Sequence, residues 1–487
     1  MAEVLLIKPS TGWYDSIKSH LDLPLGILSA ATLIDQEYDV KFIDQQLEQN
    51  WKEKVKKELD KNPILVAVSA MTGGQILKAL ETAEFIRQES KDTKIVWGGP
   101  HPTIMPLQTI KDSRADIVVQ GEGEETFYDL AKALEKDKPL KDVSGIWYKE
   151  NGNVRFTGQR HYGDPDKFPM LPFHLVNIKD YMPSYFGLKT INLESSRGCP
   201  FRCTFCKNTV KETDYRRWRA WSPKTTIDYM KYVRDEFGVE LVHFQDENFF
   251  VNLKRAKDIM EGIKTELNDM HWIVNGIRID TIDLVNEDYL KLLVESNCLQ
   301  IKIGVESGSQ KILDLIKKDI NIDQVYRANR KLAKFDTSPL YNFMCGFPYE
   351  TKEDLQATIN MMFKLKKDNP KAQTSAVNMY TPYPGTELYD DVLKMGFKEP
   401  ITLEGWGNHS FESVEPIWLP KEHQKLVKST FFLSLFLTGY ESSYASSPIF
   451  LAAKKMYEPI AKFRMKNMFF KAMIEPKLSE MVLKNYQ

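Results

Sequence analysis

Cys199, Cys203 and Cys206 crowd into eight positions of a 487-residue chain that holds five cysteines in all. The segment Ser196-Arg197-Gly198-Cys199-Pro200-Phe201-Arg202-Cys203-Thr204-Phe205-Cys206 follows Thr190 to Leu193, which reads as a strand. The three thiolates therefore share one loop at a strand's carboxyl end, where one loop can wrap one metal centre. Four-iron clusters are commonly held by four cysteine sulfurs, so three would leave one iron open to a substrate or cofactor. A structural zinc site is the alternative, and it needs a distant fourth ligand. The other two cysteines, Cys298 and Cys345, lie in apolar stretches and read as small core residues.

Positioning such a loop requires a scaffold, and the chain alternates strand-like and helical stretches over most of its length. In residues 1–135 the runs Val4 to Ile7, Val40 to Asp44, Ile64 to Ser69, Ile95 to Gly98 and Ile117 to Gln120 alternate with helical patterns at Leu25 to Asp35, Trp51 to Leu59 and Ile76 to Gln88. That alternation predicts an α/β, doubly wound, Rossmann-like parallel sheet. Ligands of such sheets lie beyond the strands' carboxyl ends. The sequence places Ser69-Ala70-Met71-Thr72-Gly73-Gly74, Gly98-Gly99-Pro100-His101 and Gly121-Glu122-Gly123-Glu124 there, small residues that let backbone amides approach a large ligand.

Residues 136–185 are expected as a linker, the stretch Lys149 to Pro172 being polar and rich in Pro, Gly and Asp. Over residues 186–400 about six further strand-helix units predict a partial (β/α)6 barrel of TIM type, whose chemistry belongs at the strand carboxyl ends. Residues 401–487 read as a helical C-terminal cap, with no strand signal after Trp418.

A composition of 42% hydrophobic and 27% charged residues is that of an ordinary globular protein, and a formal net charge of -1 gives no general attraction to nucleic acid. The start lacks a basic leader, and no run of about 18 apolar residues exists. A cytoplasmic protein is expected, with too few and too unevenly placed cysteines for a disulfide framework.

The cysteine spacing, Cys-x3-Cys-x-aromatic-Cys, is the signature of the radical S-adenosylmethionine (radical SAM) superfamily, which this chain resembles. Phe205 stands at the aromatic position. Phe244-Gln245-Asp246-Glu247-Asn248-Phe249, Asn275-Gly276-Ile277-Arg278, Gly304-Val305-Glu306-Ser307-Gly308, Gly346-Phe347-Pro348-Tyr349-Glu350-Thr351 and Pro382-Tyr383-Pro384-Gly385-Thr386 look like the family's successive strand-end motifs. The N-terminal part, with Pro24-Leu25-Gly26 and the three glycine turns, is similar to the cobalamin-binding domain of one large subgroup.

The resemblance implies a 4Fe-4S cluster on Cys199, Cys203 and Cys206, S-adenosylmethionine near Phe205, Asp246, Glu247, Arg278, Glu306 and Ser307, and cobalamin near Ser69, Thr72, Gly73, Gly99, Pro100, His101, Gly121, Glu122 and Gly123. Carboxylates such as Asp246, Glu247 and Glu306 accept hydrogen bonds from an ammonium or from paired hydroxyls. Helix N-capping is their other common use. Two departures stand out. No Asp-x-His-x-x-Gly motif supplies a cobalt ligand, so His20 and His101 are expected as ordinary polar residues. Trp221 stands where the family's second arginine after Arg219 is expected.

The implied reaction uses a 5′-deoxyadenosyl radical to functionalise an unactivated carbon, most simply by methyl transfer, with ring formation on a lipid or tetrapyrrole as the alternative. A non-enzymatic corrinoid carrier is the rival of another class. An electron donor such as ferredoxin or flavodoxin is the implied partner. Lys421 to Gln487 holds eleven Lys or Arg, five Glu and eleven Phe or Tyr. That composition suits a hydrophobic, lipid- or isoprenoid-like substrate, or peripheral contact of the C-terminal helices with an anionic membrane. Packing of Phe431, Phe432, Leu435 and Phe436 onto the barrel is the plainer explanation.

Overall fold

The computed structural model describes residues 3–12, 21–211, 213–410, 413–438 and 448–470, so His20 and parts of the C-terminal cap lie outside the described residues. The first unit runs β1 (Glu3–Lys8), α1 (Leu25–Ala31), β2 (Asp39–Asp44), α2 (Trp51–Leu59), β3 (Leu65–Ser69), α3 (Gly74–Glu89), β4 (Ile95–Gly98), α4 (Pro100–Ile104), α5 (Pro106–Lys111), β5 (Ile117–Val119) and α6 (Glu124–Glu135). Its sheet has the order β2-β1-β3-β4-β5, all parallel. Both faces are covered, which is why the strands are almost continuously apolar. Leu5, Ile7, Val66, Val68 and Trp97 enter the core on one side, and Val4, Leu6, Leu65, Val96 and Val119 the core on the other. The order reverses between β1 and β3, and a crevice opens there.

The sheet continues beyond these strands. β6 (Ile146–Glu150) and β7 (Asn153–Phe156) form a hairpin that adds two antiparallel strands beside β5. The stretch expected as linker thus begins inside the first sheet. Asn151 and Gly152 at its tip, both at positive φ, make the tight turn that Pro and Gly content had suggested as a connection.

The second unit is a parallel array. β8 (Ser184–Tyr185) pairs antiparallel with β9 (Leu188–Leu193), and β10 (Ser196–Arg197) pairs with β11 (Arg219–Ala220) across the base of the cysteine loop. Then come α7 (Pro223–Phe237), β12 (Leu241–Phe244), α8 (Leu253–Glu266), β13 (His271–Ile277), α9 (Ile279–Leu284), α10 (Glu287–Glu295), β14 (Cys298–Glu306), α11 (Gln310–Leu315), α12 (Ile322–Leu332), β15 (Ser338–Cys345), α13 (Lys352–Asp368) and β16 (Gln373–Met379). The order β9-β12-β13-β14-β15-β16 is sequential, and among the described residues β16 does not pair with β9, so the barrel is open. Local signals set the helices: Ser222 caps α7 with Pro223 at its first position, Gly238 ends it in the left-handed conformation, and Asn321 and Thr351 form capping boxes.

After the barrel come α14 (Glu387–Lys394), α15 (Leu403–Gly407), α16 (Lys421–Leu435) and α17 (Pro448–Lys466). α15 returns to the first unit, whose core takes in Leu403 and Trp406. α16 closes onto the barrel: Phe431 and Phe436 are buried in its core, with Phe432 and Leu435 packed against them. The aromatic residues of this helix are accounted for by packing.

Candidate active site

A cleft of about 270 Å³ lies where the first sheet's carboxyl ends face the cysteine loop. Ser69, Gly98, Gly99, Pro100, Gly121 and Gly123 line one side, and Glu194, Arg197, Gly198, Lys207, Tyr215 and Glu247 the other. Gly26 and Gly98 have nothing within 4 Å of where a Cβ would stand, so the wall is open at both. Gly99 and Gly121 are glycines for a different reason. Their φ values of +99° and +93° disfavour any side chain, and a Cβ on Gly121 would stand 2.6 Å from the Tyr162 hydroxyl.

Glu122 and Glu124 join the two units. Arg219 donates two hydrogen bonds to Glu122, at 2.7 and 2.6 Å, and Arg197 donates to Glu124 at 2.6 Å and to the Ser29 hydroxyl at 2.9 Å. Arg197 also reaches Glu194 at 3.0 Å and lies over the Trp221 ring. Trp221, where a second arginine was expected, thus stacks a guanidinium already in place. Two buried arginines held between carboxylates and aromatic rings fix the orientation of the cleft's walls.

Of the nine residues expected near cobalamin, Ser69, Gly99, Pro100, Gly121, Glu122 and Gly123 line the cleft. The other three meet the chain returning from the barrel. The Thr72 hydroxyl is 3.0 Å from His101 Nδ1, and the Gly73 amide donates to the Trp406 carbonyl. His101 is fully buried beside Trp406, and its basicity falls to about 3 through burial and the nearby His409. It is a neutral core imidazole.

The cysteine loop is held from both ends. Ser195 and Ser196 donate to the buried Asp246 carboxylate through the Ser195 amide and both hydroxyls, and Glu247 accepts the Gly198 amide at 3.1 Å and Lys207 at 3.2 Å. Gly198 has φ +81°, and a Cβ there would stand 2.5 Å from the Arg217 carbonyl. All three cysteines are free thiols, and burial pushes Cys206 up to about 11, with Cys203 and Cys199 close enough to add their repulsion. Amides donate to two of them, Phe201 to Cys199 and Asn208 to Cys206, which favours thiolates. Among the described residues no group of three Cys, His, Asp or Glu side chains already forms a metal site. Cys298 sits at the amino end of β14 with its thiol on Gln300, and Cys345 is buried with its thiol on Val427. Neither completes a zinc set.

The remaining expected residues surround the loop without entering the cleft. Phe205 packs edge-on against Phe347. Arg278 lies 3.8 Å above the Phe201 ring and donates to the Lys318 carbonyl, while Lys318 itself pairs with Glu306 at 2.8 Å. Glu306 ends β14 at φ +72°, a strained conformation for a non-glycine residue. Ser307 bonds Thr358 and the Ser309 amide. Neither Asp246 nor Glu306 caps a helix; Asn248 and Ser309 do that work. Sequence reasoning missed Arg197, Lys207, Tyr215, Glu194 and Lys318. All but Lys318 are near the cysteine motif in sequence, but which of them faces the cleft depends on the β10–β11 ladder.

Residues 193–362 match the radical SAM superfamily and residues 21–131 the B12-binding domain. Over 413 residues the chain is 33% identical to the uncharacterized methyltransferase PH0819 of Pyrococcus horikoshii, covering 83% of this chain and 87% of that protein. The chain belongs to the cobalamin-binding radical SAM family. It is also 28% identical over 397 residues to the anaerobic magnesium-protoporphyrin IX monomethyl ester cyclase of Cereibacter sphaeroides, covering 79% of this chain and 61% of that protein. Among solved structures, the radical SAM methyltransferase TsrM from Kitasatospora setae, with cobalamin and a 4Fe-4S cluster bound, shares the fold with a TM-score of 0.69 at 16% identity, over 95% of this chain and 99% of that one.

The protein is accordingly a cobalamin-dependent radical SAM enzyme of the family's methyltransferase and cyclase branch, and its cofactors are a 4Fe-4S cluster, S-adenosylmethionine and cobalamin. The residues present fit that set: three thiols on one loop with amide donors, and a glycine-walled cleft facing them. No helix of the described residues is long and apolar enough to cross a membrane.

Proposed function

We propose that this enzyme transfers a methyl group to an unactivated carbon of a small molecule, and that the cleft between the two units is where cobalamin and the cluster loop meet. The observation that carries this reading is the shared lining: Gly98 and Gly121 of the first sheet and Gly198, Lys207 and Glu247 of the barrel bound one space. A corrinoid carrier has no use for a cysteine loop in that wall. When bound, the cluster with S-adenosylmethionine supplies one-electron chemistry that breaks a C–H bond, and cobalamin supplies the methyl carrier.

The chain's own residues place and enclose these groups. Cys199, Cys203 and Cys206 hold the cluster. Glu247 fixes the loop through the Gly198 amide and keeps the Lys207 ammonium at the cleft wall. Arg197 and Arg219, clamped on Glu124 and Glu122, hold the first unit over the loop. Ferredoxin or flavodoxin would deliver the electron from outside.

The test is anaerobic reconstitution with iron, sulfide and cobalamin, followed by metal analysis and assay of nucleoside products after reduction. Four irons, bound cobalt, 5′-deoxyadenosine and S-adenosylhomocysteine are expected. Deoxyadenosine without S-adenosylhomocysteine would favour the cyclase reading, for which the Cereibacter relative speaks. Zinc in place of iron would overturn both.

Peripheral membrane contact is favoured by one feature. On α17 the side chains of Met456, Ile460 and Phe463 are exposed on one stripe, flanked by Lys455, Lys462 and Lys466. Such a face suits an anionic lipid surface and would bring a hydrophobic substrate within reach. Sedimentation with phosphatidylglycerol vesicles tests it, and a protein left in the supernatant sets it aside.

A further inference from the structure

A second hollow, of about 520 Å³, lies at the opposite end of the barrel from the cleft, by the amino ends of β14, β15 and β16. No residue lines both spaces. Lys366 of α13, Lys371 of the loop that follows it and Lys454 of α17 bring three ammonium groups to the wall, beside Asp336, Thr337 and Glu458. The volume is that of a small-molecule site. Chemistry in this architecture belongs at the strands' carboxyl ends, so a ligand here stands apart from the reaction.

The charges of this wall do not balance. Glu458 is taken by Lys462, one helical turn on and outside the hollow, at 2.6 Å. Asp336 reaches Lys371 at 3.2 Å, but its side chain is 92% exposed, and a pair so open to water holds weakly. Lys366 forms no ion pair among the described residues, and its bond to the Leu437 carbonyl is long at 3.5 Å. Lys454 is buried and donates to the Thr438 hydroxyl at 2.9 Å. Burial lowers the proton affinity of Lys366 and, to about 8, that of Lys454, and the charge of Lys366 lowers the second further against the pull of Glu458. Two cations of one wall therefore repel each other. Thr337 is buried too, and its hydroxyl has no hydrogen-bond partner among the described residues, which costs stability until a partner reaches it. The carbonyl end of α13 attracts Lys366, but it accounts for neither Lys454 nor the Thr337 hydroxyl.

We propose that this hollow binds a phosphate group, carried by a soluble small molecule or by a lipid headgroup, between α13 and α17. Phosphate suits the wall better than a carboxylate does. It brings up to two negative charges to a surplus of ammonium groups, and its oxygens point in several directions, so that Lys366, Lys371 and the Thr337 hydroxyl can each donate to one. A ligand held by Lys366 on α13 and Lys454 on α17 also ties the C-terminal helix to the barrel. The proposal is independent of the methyl-transfer reading.

The experiment titrates the cobalamin-loaded, cluster-reconstituted enzyme with inorganic phosphate and with glycerol 3-phosphate by calorimetry, and sediments it with phosphatidylglycerol vesicles. Each measurement is repeated on the double variant Lys366→Gln/Lys371→Gln, with iron, cobalt and circular dichroism as checks on its fold. At least one probe should bind, and the double variant should weaken that binding about tenfold or more, the worth of one lost charge-assisted bond. Lys366→Arg/Lys371→Arg should restore most of it. Variant-sensitive binding of phosphate or glycerol 3-phosphate assigns a soluble ligand, and variant-sensitive binding of vesicles alone assigns a headgroup. Failure of all three probes to bind would overturn the proposal, and so would binding that the double variant leaves unchanged, which would place the phosphate elsewhere. If the double variant loses iron or cobalt, Thr337→Val decides in its stead: it should weaken the same binding about threefold, and unchanged binding would overturn the proposal.

Discussion

His101 shows how burial decides what a single residue can do. Its turn looked like part of a ligand cradle, yet the imidazole is fully enclosed and keeps no proton until about pH 3, from burial first and His409 second. In the unfolded chain it takes up a proton below about pH 6.5. The unfolded state then binds more protons than the native one, so stability is lost as pH falls from about 6.5 towards 3, by up to about 1.4 kcal/mol per pH unit from this residue. Denaturant midpoints between pH 7 and 4 should show that slope, and His101→Asn should flatten it even if its stability at pH 7 is lower. A cobalt-ligating histidine would instead lose cobalamin affinity on the same substitution with the acid slope intact.

The cysteine loop makes the corresponding point for an element. Its motif was legible because three sulfurs at that spacing have few other uses, and the alternation of strands and helices was legible because both sheets are covered by helices that demand apolar faces. The hairpin β6–β7 was not: its outer strand is mostly exposed, so it carries little of the apolar pattern by which strands are recognised. Nor were the roles of Glu122 and Asp246, whose partners lie at Arg219 and at Ser195 and Ser196 and are set by tertiary structure alone. What the loop does require is local. Gly198 at φ +81° lies against the Arg217 carbonyl, so Gly198→Ala must displace the β10–β11 ladder. Reconstituted Gly198→Ala should bind well under half the iron of the parent enzyme, by 410 nm absorbance and iron analysis, while its far-UV circular dichroism stays unchanged.

At the scale of the whole molecule the chain passes from the first unit to the barrel through the residues that follow β7 and returns to it by α15. Trp406 is fully buried in the first unit's core, Arg114 donates to Glu404 at 2.6 Å, and Gly407 lies so close to Leu77 that a Cβ would stand 2.4 Å from it. Truncating a tryptophan in such a setting costs about 3–5 kcal/mol. Trp406→Ala should lower the denaturant midpoint accordingly and loosen cobalamin retention, while leaving the iron content of the cysteine loop near that of the parent. Equal loss of iron would mean that the cleft's two walls stand or fall together.

α15 also fixes an order of events. The ribosome delivers the whole barrel before it delivers Trp406, so the nascent first unit, with Ile76, Leu77 and Leu80 already made, waits for its last piece of core until the cluster-binding half has emerged. The chain completes its cobalamin-binding half after the half that makes cobalamin useful, and a growing chain cut short within the barrel would be left with an apolar face for chaperones and proteases to find.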